Sequence, residues 1–418
     1  MKVPISLVDA FGSEFELQIA RFAMQFGFLP DIHALHSNRF LARSVIPHIT
    51  KLSRLFNREE KDQDSGLSPY WKESSNPLHL RMAYFLYFMP SNLFRVAAIG
   101  SELSRLGFQW PTQNFQAIEL GAGPASGACG IAAAQNFAHL GLGNCGTWAL
   151  VEQDQSILSL GAQWATSYFS SLGLSNWGVR PFHRKIDLEK EFLPKNAPRF
   201  HLWLMSFYLN EITINPQELA IKLLRAWKNH LHPEGIAILV EPALKLQSRK
   251  LLELRKHLLL EIEKEKIKDL KILLPCLGHQ ACGALSQNND WCHEEVTWWR
   301  PPYFRKIDQM AKLDRKTLPF SYLVLAKSEK KLEELLPRLK LSESHSPLQR
   351  HRLVSPAHKE GQDLEFFLCG EEGKRRARYR PFHLDGQDSE LQRGDIFLNA
   401  QIRGDRNSSR IIQFKEIV

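Results

Sequence analysis

The sequence predicts an α/β fold in which helices cover a parallel sheet, with a helical region before it and a small β-rich region after it. From residue 115 onward, short apolar runs alternate with helical stretches, and strands separated by helices form a parallel sheet covered on both faces. A glycine-rich loop, Gly121 to Gly127, follows the first of these runs. Residues 350–418 lack the alternation and instead carry short β-like runs between glycine turns.

Residues 1–110 are predicted to be helical. Residues 15–28 carry apolar side chains at nearly helical spacing, and residues 78–89 are strongly apolar. Pro90 is expected to end the second of these helices, and Ser91 to begin another as its N-cap. The polar stretch between them, 57–76, is expected to be an exposed loop.

Residues 111–330 are predicted to form the sheet-containing domain. A long amphipathic helix is expected over 244–269, and a cysteine-rich, metal-binding insertion over 275–319. The apolar runs that predict strands are 115–120, 147–151, 199–205, 235–240, 271–274 and 320–326.

Residues 331–418 are predicted to form a basic C-terminal β-domain. A charged helix over 330–340 and a linker over 342–347 lead into it. An OB-like barrel is one form that such a small domain takes.

Composition indicates a globular protein whose modest basic excess is compatible with a polyanionic partner. Lys and Arg (54) exceed Asp and Glu (45), for a net charge of +9, and from Arg300 to the end the counts are 24 against 17. With 44% hydrophobic and 24% charged residues, the chain is neither disordered nor collagen-like. Six cysteines are too few for a disulfide scaffold, and we see no signal peptide, transit peptide or membrane span. We therefore expect a cytoplasmic, membrane-free protein.

The glycine loop has an acid on either side that favours S-adenosylmethionine as its ligand. Glycines at 121 and 123 permit a tight turn and close ligand approach, and the following helix offers free N–H groups. Dinucleotide-binding proteins share this layout. Glu119 is placed to hold the cationic amino-acid part, directly or through water, and Glu152 to accept both ribose hydroxyls. The alternative is a glycine-rich turn that binds nothing.

Further candidates for this pocket follow the third and fourth strands. Asp187 is either an adenine contact or a solvated loop acid. Ser206, Asn210 and Glu211 are expected to line the pocket, because ligands of such sheets bind at the carboxyl ends of strands. The segment lacks the Asp/Asn-Pro-Pro-aromatic motif of amine methyltransferases and a cysteine nucleophile. The binding half of a methyltransferase is therefore better supported than the catalytic half.

Four cysteines form a candidate metal site. Cys276, Cys282 and Cys292 fall within 17 residues, and Cys369 lies far downstream. Four thiolates satisfy either tetrahedral zinc or a cubane iron–sulfur cluster. The spacing differs from that of a zinc ribbon, and the polar segment lacks the apolar periodicity expected of unrelated buried cysteines.

Residues 374–380 place five cations and one aromatic side chain in seven positions. Dense Lys and Arg suit phosphate contacts, and Tyr379 is placed to stack on an unpaired base. A charge run is also typical of a solvated edge strand. The candidate RNA-binding residues are Lys374, Arg375, Arg376, Arg378 and Arg380.

Together these segments resemble the methyltransferase-like family of the mitochondrial small ribosomal subunit, whose bacterial relatives are described as ribosomal or rRNA methyltransferases. The resemblance covers roughly residues 75–385. The chain departs from it at Leu277 and Gly283, where the family usually has proline, and at Ala125, where glycine is common. The matching segments are Ala83-Tyr84 to Pro90, Leu120 to Pro124, Ser206-Phe207, Leu209-Asn210-Glu211, Leu239 to Pro242, Pro275-Cys276 with His279 and Cys282, Asp290 to His293, Phe320 to Leu323, Arg352 to Val354, and Leu368-Cys369.

The resemblance implies a class I, Rossmann-like methyltransferase core. It also implies a 4Fe–4S cluster held by Cys276, Cys282, Cys292 and Cys369, and association with small-subunit ribosomal RNA during ribosome assembly. Away from the ribosome we expect a monomer. Whether methyl transfer occurs stays open. The alternative is an active small-molecule or protein methyltransferase with a structural zinc site.

Overall fold

The computed structural model describes residues 2–56, 77–186, 193, 196–279, 281–341, 349–381, 391–405, 407–414 and 416–418. Asp187 and the loop predicted over 57–76 therefore lie outside the described residues. The N-terminal part is helical, as predicted. Its helices are α1 (Ile5–Asp9), α2 (Ser13–Gln25), α3 (Asn38–Phe40), α4 (Ile46–Phe56), α5 (Pro77–Ala83) and α6 (Met89–Arg105), with a 3-10 turn at Ala34–His36.

Pro90 does not end a helix, contrary to the prediction. A π-helical turn, Tyr84–Phe88, joins α5 to α6, and Pro90 lies in the first turn of α6. Proline fits there because the N–H groups at a helix start need no intrahelical partner. The Ser91 hydroxyl donates a hydrogen bond back to the Phe88 carbonyl at 2.9 Å, so Ser91 is an interior residue and not an N-cap.

The central sheet runs in the order β3-β2-β1-β4-β5-β8-β6, with β7 paired to β8. Strands β3, β2, β1, β4 and β5 are parallel, whereas β8 is antiparallel to its neighbours. The predicted α/β class with a parallel sheet is confirmed. The strands are β1 (Phe115–Leu120), β2 (Gly146–Glu152), β3 (Trp177–His183), β4 (Phe200–Ser206), β5 (Leu231–Pro242), β6 (Leu270–Leu274), β7 (Glu294–Thr297) and β8 (Thr317–Lys327).

Helices cover this sheet, and apolar side chains from both faces form its core. Helix α6 packs against α7, so the N-terminal helices are continuous with one side of the sheet. The helices within and after the sheet are α7 (Ser126–Phe137), α8 (Gln155–Ser171), α9 (Pro216–His230), α10 (Lys245–Lys264), α11 (Pro302–Ala311) and α12 (Leu332–Leu335). Helix α12 is shorter than predicted because Pro337 follows it and starts a separate 3-10 turn, Pro337–Leu339.

The C-terminal strands form a closed barrel. Strand β9 pairs with β11 and β13, β11 with β12, β12 with β14, and β14 with β13, which closes a ring of five. The β12–β14 pairing is parallel and the other four are antiparallel. The strands of this region are β9 (Gln349–Leu353), β10 (His358–Glu360), β11 (Asp363–Gly370), β12 (Gly373–Tyr379), β13 (Ile396–Gly404), β14 (Ser409–Gln413) and β15 (Glu416–Ile417).

A buried polar network joins the barrel to the sheet and to α6. The Arg352 guanidinium on β9 donates to Glu102 at 2.8 Å, to Glu294 at 3.3 Å and to the Tyr322 hydroxyl at 3.2 Å. All four side chains are almost fully buried. Burial alone would raise the pKa of Glu102, but Arg352 outweighs it and holds that pKa below its ordinary value. The network therefore contains an ionised acid deep in the protein.

Among the described helices, none combines the length and the apolar character that a membrane span requires.

Candidate functional site

The loop between β1 and α7 turns sharply at three positions. Gly121 and Gly123 have φ of +66° and +49°, and Ala125, at the N-cap of α7, has φ of +59°. Glycine adopts such angles without the strain that a Cβ causes. The Gly121 and Ala122 amides donate to the Val151 carbonyl, at 2.9 and 3.1 Å, and so fasten the loop to the end of β2.

Glu119 holds the start of α7. Its two carboxylate oxygens accept hydrogen bonds from the Gly127 and Ala128 amides, at 3.0 and 2.9 Å, and the residue is 1% exposed. Burial raises the pKa of Glu119 to about 8, against the opposing effect of these amides. Glu119 thus orients the helix N-terminus that borders the loop, while its oxygens are directed at amides rather than into an open cavity.

Glu152 lies at the carboxyl end of β2, beside the glycine loop. Its oxygens accept from the amides of Gly123 at 3.1 Å, Gln153 at 2.7 Å and Asp154 at 3.0 Å. Burial raises the pKa of Glu152, and these backbone donors oppose the rise. The carboxylate therefore fixes the loop and also borders the cavity described next.

A cavity of about 50 Å³ lies where β1, β2 and β4 end. The Tyr208 ring covers the loop so closely that a Cβ added to Gly121 would lie 2.3 Å from the Tyr208 Cδ2 atom. The Ser206 hydroxyl borders the cavity, is buried, and has no hydrogen-bond partner among the described residues. Buried hydroxyls are normally satisfied, so this oxygen is free to bond a ligand.

Asn210 and Glu211 follow the same strand; Glu211 borders this cavity, and Asn210 does not. Phe207 has φ of +58°, which is unusual for an aromatic residue and turns the chain into the 3-10 turn Leu209–Glu211. The buried Glu241 carboxylate at the end of β5 accepts from the Leu209 and Asn210 amides, at 2.8 and 3.1 Å. The sequence reasoning missed Glu241 as a support, although it stands in one of the matching segments.

The four predicted metal ligands line one cavity between the central sheet and the barrel. Cys276 follows β6, Cys282 and Cys292 lie in the segment before β7, and Cys369 is on β11; all four border a cavity of about 50 Å³. Burial raises the pKa of Cys369 to about 12, and the neighbouring Cys276 and Cys282 thiols add to the rise. Within the described residues, no group of three or more His, Cys, Asp or Glu forms a set that could hold a metal ion.

Arg255 and Gly283 also line this cysteine cavity, and Arg255 was not predicted from the sequence. Arg255, on α10, is buried beside it and donates to the Gly278 carbonyl at 2.9 Å. Burial raises the pKa of Cys276, and Arg255 opposes that rise. Gly283 lies against β12, where an added Cβ would be 2.8 Å from the Lys374 Cβ. The only sequence signal for Arg255 was that this cation falls on the apolar, buried face of the amphipathic helix α10.

The predicted RNA-binding cations lie on β12 or, for Arg380, directly after it, and each has an acidic partner. Arg376 and Arg378 contact Glu365, at 2.5 and 3.0 Å. Arg375 points into the barrel, is 7% exposed and contacts Glu372, so it is inaccessible to RNA on the outer face. The remaining pairs are Lys374–Asp290 at 2.5 Å, Arg378–Glu360 at 2.9 Å and Arg380–Asp363 at 2.8 Å.

The expected stacking role of Tyr379 is wrong. Its side chain is 7% exposed inside the barrel and its ring centroid lies 5.5 Å from that of Phe414. Residues along a strand point alternately to opposite faces, so Arg375 and Tyr379 share the inner face while Arg376, Arg378 and Lys374 share the outer one. A base cannot reach the Tyr379 ring without opening the barrel.

The family model described as mitochondrial small ribosomal subunit Rsm22 matches residues 79–382. The chain belongs to this family. The predicted family is thus confirmed, although its mitochondrial description does not support the predicted cytoplasmic location. A search of the curated proteins finds no match.

Similar solved structures include two methyltransferases with bound S-adenosylhomocysteine. The plantazolicin methyltransferase BpumL is 12% identical over 68% of this chain and 98% of its own, with a TM-score of 0.35. The O-methyltransferase from Bacillus cereus is 9% identical over 75% and 99%, with a TM-score of 0.31. TrmN from Thermus thermophilus is 16% identical over 57% and 52%, with a TM-score of 0.30.

Proposed function

We propose that this member of the Rsm22 family binds S-adenosylmethionine at the glycine loop and binds small-subunit ribosomal RNA in ribosome assembly, as a monomer away from the ribosome. We further propose that it carries a 4Fe–4S cluster. The observation that carries the proposal is the meeting of the glycine loop, Glu152 and the unbonded Ser206 hydroxyl around one cavity at the carboxyl ends of the strands. S-adenosylmethionine would supply the methyl group for any transfer at this site.

The residues around the cavity suit the ribose end of this ligand. A carboxylate has about four acceptor positions, and backbone amides occupy three of those on Glu152. One position therefore stays available for a ribose hydroxyl, with Ser206 close by in the same cavity wall. The cavity is small because the Tyr208 ring lies on Gly121, so binding requires that this ring move aside.

Calorimetry with S-adenosylmethionine tests this assignment. We expect Glu152→Ala to weaken binding about 10-fold or more, since an acceptor for a ribose hydroxyl is worth about 1.5 kcal/mol. Tyr208→Ala should strengthen binding, because the ring no longer has to be displaced. Glu218→Ala, which removes an exposed acid on α9, serves as the matched control and should leave affinity unchanged. Absence of heat with wild-type protein at millimolar ligand would leave only the RNA-binding function.

The cysteine cavity supports a four-iron cluster through its donor set. All four thiols border one cavity, and four cysteine thiolates are the set that such a cluster uses. Four thiolates also satisfy zinc, so metal analysis has to distinguish the two.

Anaerobic purification followed by iron, sulfide and zinc analysis tests the cluster. We expect brown protein with about four irons per chain, and loss of iron in Cys369→Ser. Cys145→Ser is the matched control, because that cysteine is free, exposed and does not border the cavity. Colourless protein with stoichiometric zinc would instead support a methyltransferase of small molecules or proteins with a structural zinc site.

The barrel supports RNA binding through its strand order. In OB-folds the strands close in the ring order found here, and the face of the second and third strands binds oligonucleotides. Strands β11 and β12 occupy those positions, and Arg376 and Arg378 point outward from β12 with nearly half of each side chain exposed. Crosslinking in cells followed by RNA sequencing should recover small-subunit RNA, and recovery of unrelated RNA alone would contradict the proposal.

A further inference from the structure

A third, larger cavity of about 570 Å³ lies between the glycine-loop cavity and the cysteine cavity. It shares Tyr84, Phe207 and Glu211 with the first, and Trp291 and His293 with the second. Pockets of this size accommodate small organic ligands. The function proposed above assigns nothing to it.

We call this third cavity the acceptor cavity. Arg95 is a buried cation in its wall. The residue is 7% exposed; its Nη1 donates to the Asn92 side-chain oxygen at 2.9 Å and its Nε to the Pro319 carbonyl at 3.3 Å. Both partners are neutral, and none of the described carboxylates forms an ion pair with Arg95. Burial and the nearby Arg315 lower the pKa of Arg95 to about 9. A buried guanidinium without a counter-charge is costly unless a ligand supplies one.

Arg315 is the second cation of this cavity. Its guanidinium stacks on Tyr87 and Phe88, at 4.8 and 5.3 Å from the ring centroids, and forms no ion pair with any described carboxylate. Three acids, Glu211, Glu295 and Asp314, also line the cavity wall, and each has a partner of its own. Asp314 lies 3.1 Å from Lys316 and 3.7 Å from Arg300, and Glu295 accepts from the Thr317 hydroxyl.

Aromatic side chains form another part of the wall. Arg95 lies 5.5 Å from the centre of the Phe207 ring, and the Trp291 indole N–H donates to the Ala243 carbonyl at 3.0 Å. The Trp291 and His293 rings are nearly parallel, with centroids 6.2 Å apart. Fixed aromatic faces of this kind suit an unstacked base.

We propose that the acceptor cavity binds one nucleotide of RNA, with its phosphate at Arg95 and Arg315 and its base against the Phe207 and Trp291 walls. The inference deepens the proposed function, since Phe207, Tyr84 and Glu211 also border the site assigned to S-adenosylmethionine. Guanidinium groups favour phosphate because their N–H donors match its oxygens. A nucleotide held here would present its base to the methyl-donor side.

The test compares adenosine and cytidine 5′-monophosphates, the two nucleosides, inorganic phosphate and a short single-stranded RNA by calorimetry. We expect each monophosphate to bind at least about 10-fold more tightly than its nucleoside, since a charge-assisted hydrogen bond contributes about 1.5–3 kcal/mol. Arg315→Gln should reduce that affinity by a similar factor, and Lys312→Gln, an exposed cation outside the cavity wall, should not. If the single-stranded RNA binds more tightly than the monophosphates and loses the same factor of affinity in Arg315→Gln, the nucleotide that binds in this cavity belongs to RNA.

Equal binding of inorganic phosphate and monophosphates would overturn the nucleotide assignment, as would unchanged affinity in Arg315→Gln. Arg95→Gln should behave like Arg315→Gln if circular dichroism shows it folded; if it is not folded, Arg315 decides the matter. S-adenosylmethionine affinity, measured on the same samples, should be unchanged in Arg315→Gln. If the donor-site assignment is wrong, Glu152→Ala will leave S-adenosylmethionine affinity unchanged. If the acceptor-cavity assignment is wrong, Arg315→Gln will leave nucleotide affinity unchanged.

Discussion

Glu119 stands where the sequence pattern places a ligand-binding acid, but its carboxylate accepts hydrogen bonds mainly from the protein's own backbone. The sequence placed an acid immediately before the glycines, and the structure has both of its oxygens on the amides that begin α7. Because these amides belong to the helix beside the glycine loop, Glu119 determines how that helix end is presented to a ligand. Position along the chain predicted the acid; only the fold shows where its oxygens point.

The raised pKa of Glu119 gives a pH dependence with a definite sign. The folded pKa of about 8 exceeds the ordinary value, so the folded state binds the proton more tightly and stability falls as pH rises between about 4.5 and about 8. In Glu119→Gln this titration is absent. We expect the free energy of unfolding of wild type to fall relative to that of Glu119→Gln as the pH rises from about 5 to about 9. Urea denaturation of both proteins across this range measures the difference. A constant difference would show that the carboxyl stays ionised throughout.

At the same site, the position of the Tyr208 ring could not be predicted from the sequence. The glycine loop, Glu152 and Ser206 were predictable because strand, turn and helix follow one another along the chain and the ends of parallel strands meet. The Tyr208 ring lies on Gly121 because β4 neighbours β1, and side-chain direction across that pair is not encoded in local spacing.

Strand β12 was visible in the sequence as a charge run, and its structure separates that run into two faces. The two-residue period of a strand turns Arg375 and Tyr379 inward, which the sequence reasoning overlooked by treating all seven positions as one surface. The acidic partners come from neighbouring strands, chiefly Glu365 and Asp363 on β11. Net charge of the segment therefore overstates the positive potential available to RNA.

Glu365 is the best point at which to test the charge balance of this face. It pairs with both Arg376 and Arg378, so Glu365→Gln should free Arg376, leave Arg378 with Glu360 alone, and strengthen RNA binding. Arg376→Ala with Arg378→Ala should weaken it. The slope of log affinity against log salt should steepen in the first variant and flatten by about 2 in the second. Glu416→Gln removes an exposed acid on β15 and is the control. Identical salt slopes in all variants would remove β12 from the RNA-binding surface.

At the scale of the whole molecule, the described contacts between the barrel and the sheet include the wall of the cysteine cavity and the Arg352 network. The four cysteines border a cavity between the two, and the Arg352 network lies next to that cavity through Glu294 and Tyr322. The sequence suggested the first, because cysteines are rare and their spacing is distinctive. It gave no sign of the second, since Arg352 and Glu102 are 250 positions apart and Arg–Glu pairs are common on surfaces.

Removing Arg352 should destabilise the protein even when its metal content is unchanged. Arg352→Met removes the guanidinium that Glu102 and Glu294 share, and leaves Glu102 with the more distant Arg105 at 3.8 Å. Breaking such a buried pair costs about 3–5 kcal/mol. Arg338→Met is the matched control, because its pair with Glu416 also reaches the barrel but is exposed on both sides, where a pair contributes at most about 1 kcal/mol. Urea denaturation of both variants, with iron measured on the same samples, checks the prediction. If Arg352→Met lowered the free energy of unfolding no more than Arg338→Met does, the cysteine site rather than the buried network would hold the barrel on the sheet.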